Sequence, residues 1–172
     1  MQGGDSHVEF QQIRNMPTII ASNRREVRYE SLEAFLADAE RVAKTRFHTV
    51  GKWTYPQILE HLATTMHSSF DGFGFKAPWI VRVILAPFIK NSFLTNPMKA
   101  GFKLPRKMAA KLLPDSEISL PQALDNVRVA VARIASNAPT AEHPAFGKLA
   151  RQEWTSLHLR HAELHMSFVS PE

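Results

Sequence analysis

The sequence predicts an all-α protein: a four-helix bundle with a long, partly helical crossover between the second and third bundle helices. Apolar residues recur at helical spacing in four separate stretches, and no stretch shows the sustained alternation of a half-buried strand. The length of 172 residues suits one helical domain with a core of its own. We therefore predict an N-terminal arm over residues 1–24 and a single bundle domain over residues 25–172.

The first two bundle helices carry start signals. Ser31 is placed to cap a first helix that reaches about Phe47. Thr54 and Gln57 have the spacing of a capping box, which predicts a second helix running to about Phe70. Both helices have an apolar stripe that can face a shared core.

The crossover is rich in proline and glycine, so it allows only short helical pieces, predicted at residues 78–90 and 106–113. Between Gly72 and Pro114 it contains eight Lys or Arg residues and no Asp or Glu. Such a segment attracts anions, although a solvated basic face is the commoner explanation.

The last two bundle helices are also bounded by clear signals. Ser119 caps the third helix, which Asn137 ends. The fourth helix is predicted from about Ala150 to about Val169. The alanine and valine content of the third helix is compatible with a homodimer.

The composition limits the available chemistry. The chain has no cysteine, so histidine and carboxylate are the candidate metal ligands, and any thiolate has to come from a substrate. The first residues lack a secretory signal pattern, and no apolar run reaches the ~18 residues of a membrane span. We expect a cytoplasmic protein without a transmembrane segment, and the sequence predicts no specific nucleic-acid binding.

Histidines at helical spacing indicate a metal site. His161 and His165 lie one turn apart on the apolar face of the fourth helix, where unpartnered imidazoles would cost roughly 1–3 kcal/mol each. Two histidines at i and i+4 can share one ion, and His61 on the second helix is our choice of third ligand. The plainer alternative is that each histidine only hydrogen-bonds a core carbonyl or hydroxyl.

Other polar residues remain candidates around this site. His158 lies close to His165 on the helical wheel, so it could replace a ligand or support one, and Glu60 is a second candidate for a supporting role. His67 and Asp71 join them as candidates for proton transfer, and none can be selected. Glu163 does not follow the first histidine directly, so the HExxH motif of zinc proteases is absent.

Two segments carry a family resemblance: GKWTYPQILEHLATTMHSSFDGF and HPAFGKLARQEWTSLHLRHAELHMSFV. Together they resemble the DinB/YfiT-like superfamily, in particular a bacterial branch catalogued as a domain of unknown function. The resemblance implies a four-helix bundle with a metal centre formed by His61, His161 and His165. It also implies a divalent ion, most often zinc or nickel.

Two functional hypotheses follow. Some members of the superfamily transfer low-molecular-weight thiols and others are hydrolases, so the resemblance implies an enzyme whose metal activates a thiol or water for a small-molecule substrate. Alternatively, the metal only stabilises a binding or stress-response protein, and the basic segment 72–114 docks an anionic partner. The aromatic residues of that segment suit an acidic membrane surface and equally a lid over the site.

Overall fold

Helices dominate the structure, a computed structural model that describes residues 24–101 and 106–172. The elements in chain order are α1 (Leu32–Ala43), β1 (Phe47–Thr49), α2 (Tyr55–Asp71), a π-helical turn (Val81–Leu85) that continues into α3 (Ala86–Thr95), α4 (Arg106–Ala109), α5 (Leu120–Ser136), α6 (Arg151–Met166) and β2 (Val169–Pro171). The predicted arm, residues 1–24, lies almost entirely outside the described residues. The helical character of the fold is confirmed.

Local hydrogen bonds explain where the long helices begin. The Ser31 hydroxyl accepts the N–H of Ala34, and the Ser119 hydroxyl accepts the N–H three residues on, as N-caps do. At α2, the backbone N–H of Thr54 donates to the Gln57 side chain over 3.0 Å, which is half of a capping box. The predicted starts of these helices are confirmed.

The long helices pack around one apolar core. In cyclic order α1, α5, α2 and α6, each contacts its two neighbours, and α2 and α5 share the most extensive contact. Phe35, Leu59, Val127 and Met166 contribute fully buried side chains, one from each helix. This packing places the second and last long helices side by side, which brings their histidines within reach of each other.

A small antiparallel sheet was not predicted. The strands β1 and β2 pair Phe47 with Pro171 and Thr49 with Val169. As a result, α1 ends at Ala43 rather than near Phe47, and α6 ends at Met166 rather than near Val169. The expectation of an all-α fold was therefore incomplete, because strands of three residues are too short to show an alternating pattern.

The crossover packs against α6. Its first helix extends through the π-helical turn to Thr95, beyond the predicted end at residue 90, and its second piece is the single turn Arg106–Ala109 rather than 106–113. A second apolar cluster, centred on Trp154, lies between α3 and α6. Across the two described ranges, no helix has both the length and the apolarity to cross a bilayer.

Candidate metal centre

Three histidines converge at the contact between α2 and α6. One ring nitrogen from each of His61, His161 and His165 lies within 4.8 Å of the other two. Their ring centroids are 4.6 to 5.0 Å apart. His61 is 6% exposed, whereas the two α6 histidines keep part of their surface accessible. The three are close enough to share a metal ion.

The hydrogen bond of His61 fixes which of its nitrogens is free. Its Nδ1 lies 2.8 Å from the carbonyl oxygen of Leu112, and a carbonyl can only accept. His61 Nδ1 therefore carries the proton, and Nε2 presents a bare lone pair. A backbone carbonyl holding the second nitrogen of a metal-binding histidine is a common arrangement.

His161 is oriented in the same way by Thr65, one turn after His61 on α2. The Thr65 hydroxyl donates its single proton to the carbonyl of Leu62 over 2.9 Å. It can then only accept from His161 Nδ1, which lies 3.4 Å away. The free nitrogen of His161 is consequently also Nε2.

The two free nitrogens face each other. His61 Nε2 and His161 Nε2 are 3.3 Å apart, and neither has a proton to share with the other in these tautomers. Tetrahedral zinc with Zn–N bonds of ~2.0–2.1 Å places its ligand nitrogens about 3.3 Å apart. The donor set and the spacing of this pair therefore fit a divalent ion, and His165 offers a third ring nitrogen within 4.8 Å of the pair.

Protonation is disfavoured at this cluster. Burial lowers the pKa of His61 and of His161, and the neighbouring imidazoles lower that of His161 further. Burial, followed by the nearby His61, lowers the pKa of His165 to about 3. The three imidazoles are thus neutral at pH 7, the state in which histidine binds metal.

Comparison with known proteins gives a family and no activity. The family model described as "Protein of unknown function (DUF1569)" matches residues 21–172. The chain belongs to this family. No curated protein and no solved structure matches the chain. In this DUF1569 member, the three clustered histidines are the feature of the site that indicates its chemistry.

Three contributors to the site were not singled out from the sequence. Trp53 stacks on the His165 ring at 5.6 Å and packs against His61 at 4.8 Å, closing one side of the cluster. Thr65 and the Leu112 carbonyl orient the other two rings. The spacing of Thr65, four residues after His61, was the available signal, whereas a backbone carbonyl leaves none in the sequence.

Three of the other candidate residues, Glu60, His67 and Asp71, contact side chains of α5. The Glu60 carboxylate accepts from the Asn126 side chain over 2.6 Å. Arg133 donates to both carboxylate oxygens of Asp71, and its Nη1 lies 3.2 Å from His67 Nδ1. These side chains lie at the α2–α5 contact, and among the described residues they make no hydrogen bond to the histidine cluster.

His158 points into the aromatic cluster beside the site. Its ring stacks on Trp154 at 5.4 Å, and Trp154 in turn packs against His143 and Phe73. His158 Nε2 and Trp154 Nε1 are both buried, and neither has a hydrogen-bond partner among the residues that the structure describes. Trp154 and His158 precede His161 and His165 on α6, so these two nitrogens place further polar atoms on the same helix as that histidine pair.

Glu163 makes contacts that stabilise the fold. Its carboxylate accepts from the backbone N–H of Tyr29 over 2.8 Å and pairs with Arg160 and Arg28. Arg160 also donates to the Tyr29 carbonyl. These bonds fasten the segment before α1 to α6, and they hold Glu163 away from the histidines.

Proposed function

We propose that this chain is a metal-dependent enzyme in which His61, His161 and His165 hold a divalent ion, zinc or nickel, that activates a thiol or water. We further propose that the fold is a four-helix bundle of the DinB/YfiT-like type, as the resemblance of its second and last helices implies. The substrate is a small molecule, and the thiol version uses a low-molecular-weight thiol.

One observation carries the proposal: His61 Nε2 and His161 Nε2, on different helices, face each other at 3.3 Å, and the hydrogen bonds of their Nδ1 atoms assign both as unprotonated. Facing lone pairs repel unless a proton or a cation lies between them. Burial lowers the pKa of both rings, which argues against the proton. A divalent cation satisfies both nitrogens and makes their burial favourable.

A bound ion with only three protein ligands would lower the pKa of a thiol or water in the open position. The chain contributes Trp53, which closes one side of the cluster, while His161 and His165 each keep part of their surface exposed. Since the chain has no cysteine, it provides no thiolate that could occupy the open position. The reducing cytoplasm would keep a thiol substrate available.

His158 and Glu60 remain proposals for supporting roles. The buried, unpartnered Nε2 of His158 suits contact with a polar group of the substrate, because such a contact would offset the roughly 1–3 kcal/mol that the orphaned atom costs. Glu60 would act only through α2, since its carboxylate is held by Asn126.

The metal is tested by elemental analysis of the purified protein beside two variants. We expect about one equivalent of zinc or nickel in the native protein and at least about a tenfold loss of affinity in His161→Ala. His48→Ala removes an exposed histidine from β1 and should keep the metal. A native protein that stays metal-free after incubation with zinc and nickel, or a His161→Ala variant with full occupancy, contradicts the proposal.

Activity is tested separately on the metal-loaded protein. Conjugation of common low-molecular-weight thiols to electrophiles supports the transferase version, and ester or amide cleavage supports the hydrolase version. If both fail while chelation lowers the unfolding temperature, the non-enzymatic alternative holds. In that case an ion at 1,000 times its Kd adds about 4 kcal/mol to the free energy of unfolding.

A further inference from the structure

An apolar surface stands out on the first crossover helix. Eight large hydrophobic side chains are exposed in the described part of the chain, and six of them lie within ten residues. We call this set the α3 face: Trp79, Ile80, Val83, Ile84, Leu85 and Phe88. An apolar cluster of this density marks a binding surface rather than scattered surface residues.

The backbone explains why one side of the helix collects these residues. The turn Val81–Leu85 is π-helical, with hydrogen bonds from i to i+5, so its side chains repeat roughly every four to five residues. Trp79, Val83 and Phe88 follow that spacing. The π-helical turn buries none of its residues and α3 buries only Ala86, so the helix lies on the protein surface with its apolar face outward.

The surrounding charge is positive. The segment from Gly72 to Pro114 contains eight basic residues and no acidic one. Two of these are paired with carboxylates from elsewhere, Lys76 with Glu142 and Lys90 with Glu153. Arg82, in the π-helical turn, and Lys99 form no ion pair with any described residue, so the segment keeps a positive excess.

We propose that the α3 face docks onto an anionic lipid bilayer, with Trp79 and Phe88 entering the interface and the basic side chains of the crossover contacting lipid phosphates. An exposed apolar helix face with basic neighbours and aromatic residues is the pattern of helices that lie in the membrane interface. The proposal is independent of what the histidine cluster does.

Charge distinguishes this partner from two others. A second copy of the chain would bring its own basic crossover against the first, and like charges oppose that contact. Nucleic acid would satisfy the charge, but it would leave Trp79 at 65% and Phe88 at 83% exposure with little to bury them. Only the bilayer offers an anionic surface and an apolar interior together.

The test uses the full chain with vesicles of phosphatidylcholine alone and of phosphatidylcholine with about one third phosphatidylglycerol. We expect about tenfold tighter binding to the anionic vesicles, weakened in about 0.5 M salt. Fluorescence should shift to the blue on binding, because Trp79 is exposed while Trp154 is buried and Trp53 is half-buried. Equal absence of binding to both vesicle types overturns the proposal.

Two double variants separate the α3 face from general hydrophobicity. Ile84→Gln with Phe88→Gln should weaken vesicle binding about tenfold. Leu113→Gln with Val129→Gln changes two side chains of comparable exposure, one at the end of the crossover and one on α5, both outside the α3 face, and should bind as the native chain does. All four positions are exposed, and circular dichroism with thermal unfolding checks that both variants fold. Equal weakening in the two double variants overturns the proposal.

Sedimentation and nucleic-acid binding identify the rival partners. A dimer that the α3-face variant abolishes, without vesicle binding, assigns the surface to a second copy and overturns the proposal. Binding of duplex DNA or RNA without vesicle binding overturns it in favour of nucleic acid. Because elemental analysis runs on the same samples, failure here is distinguishable from failure of the metal proposal.

Discussion

At the residue scale, Arg160 and Glu163 form a buried ion pair that stabilises the start of the fold. Their side chains are 6% and 4% exposed. Removing one partner of such a pair leaves the other charge buried without compensation. Glu163→Gln should therefore lower the free energy of unfolding by about 3 kcal/mol, measured by urea denaturation.

A matched control exists on the surface. Asp125 pairs with Arg128 at the same three-residue spacing on α5, but their side chains are 70% and 46% exposed. Asp125→Asn should cost less than about 1 kcal/mol, because water screens exposed pairs. Equal losses for the two variants would show that burial does not determine the contribution of Glu163.

Among the residues of the site, the three histidines were predictable from the sequence, and Trp53 and Leu112 were not. The spacing of His161 and His165 is local, so a helical wheel placed them on one face, and the apolar stripe of α2 placed His61 toward the same core. Trp53 lies in the loop before α2, where no periodicity fixes the direction of a side chain. Leu112 contributes a backbone carbonyl, which every residue possesses, so only the folded structure identifies it.

At the element scale, the short sheet closes one end of the molecule. It ties the residues after α6 to the loop before α2, and the Val50 N–H adds a bond to the Phe168 carbonyl over 2.9 Å. Val169 is fully buried at the end of this sheet. This sheet, which we call the clamp together with the Val50–Phe168 hydrogen bond, therefore links the chain near His165 to the loop that carries Trp53.

Val169→Ala tests the contribution of this clamp. Two buried methyl groups are lost, and the cavity adds to the transfer cost, so unfolding should become about 2 kcal/mol easier by urea denaturation. Val129→Ala makes the same chemical change at a position with 60% exposure and should alter stability by less than about 0.5 kcal/mol. A loss below about 0.5 kcal/mol in Val169→Ala would mean that the strand frays freely.

Helix starts were predictable because a capping hydroxyl three residues before a free N–H is a local signal. The strands were not predictable, since each depends on a partner that is distant in sequence. Phe47 and Thr49 become strand residues only because residues 169–171 return beside them. The π-helical turn likewise has no separate residue signature, and the prolines around it predicted only short helices.

At the scale of the whole molecule, neutral histidines packed around Trp154 make stability depend on pH. Burial lowers the pKa of His143 to about 4, and burial with the nearby His143 lowers that of His158 to about 3. In the unfolded chain both have a pKa near 6.5. Below that pH the two histidines bind protons in the unfolded state but not in the folded state. The free energy of unfolding therefore falls as the pH drops from about 6.5 toward the pKa values of the folded state.

The His143→Asn variant isolates one of these histidines. His143 Nδ1 accepts the N–H groups of Ala145 and Phe146, and an asparagine oxygen can accept the same bonds in an Asx turn without titrating. Between pH 7 and pH 5 the native chain should lose about 2 kcal/mol more stability than the variant. Urea denaturation with a chelator present measures the difference, and the contributions of the three clustered histidines cancel because both proteins contain them. An identical pH dependence in the two proteins would mean that His143 is protonated in the folded state, and that the aromatic cluster around Trp154 admits water.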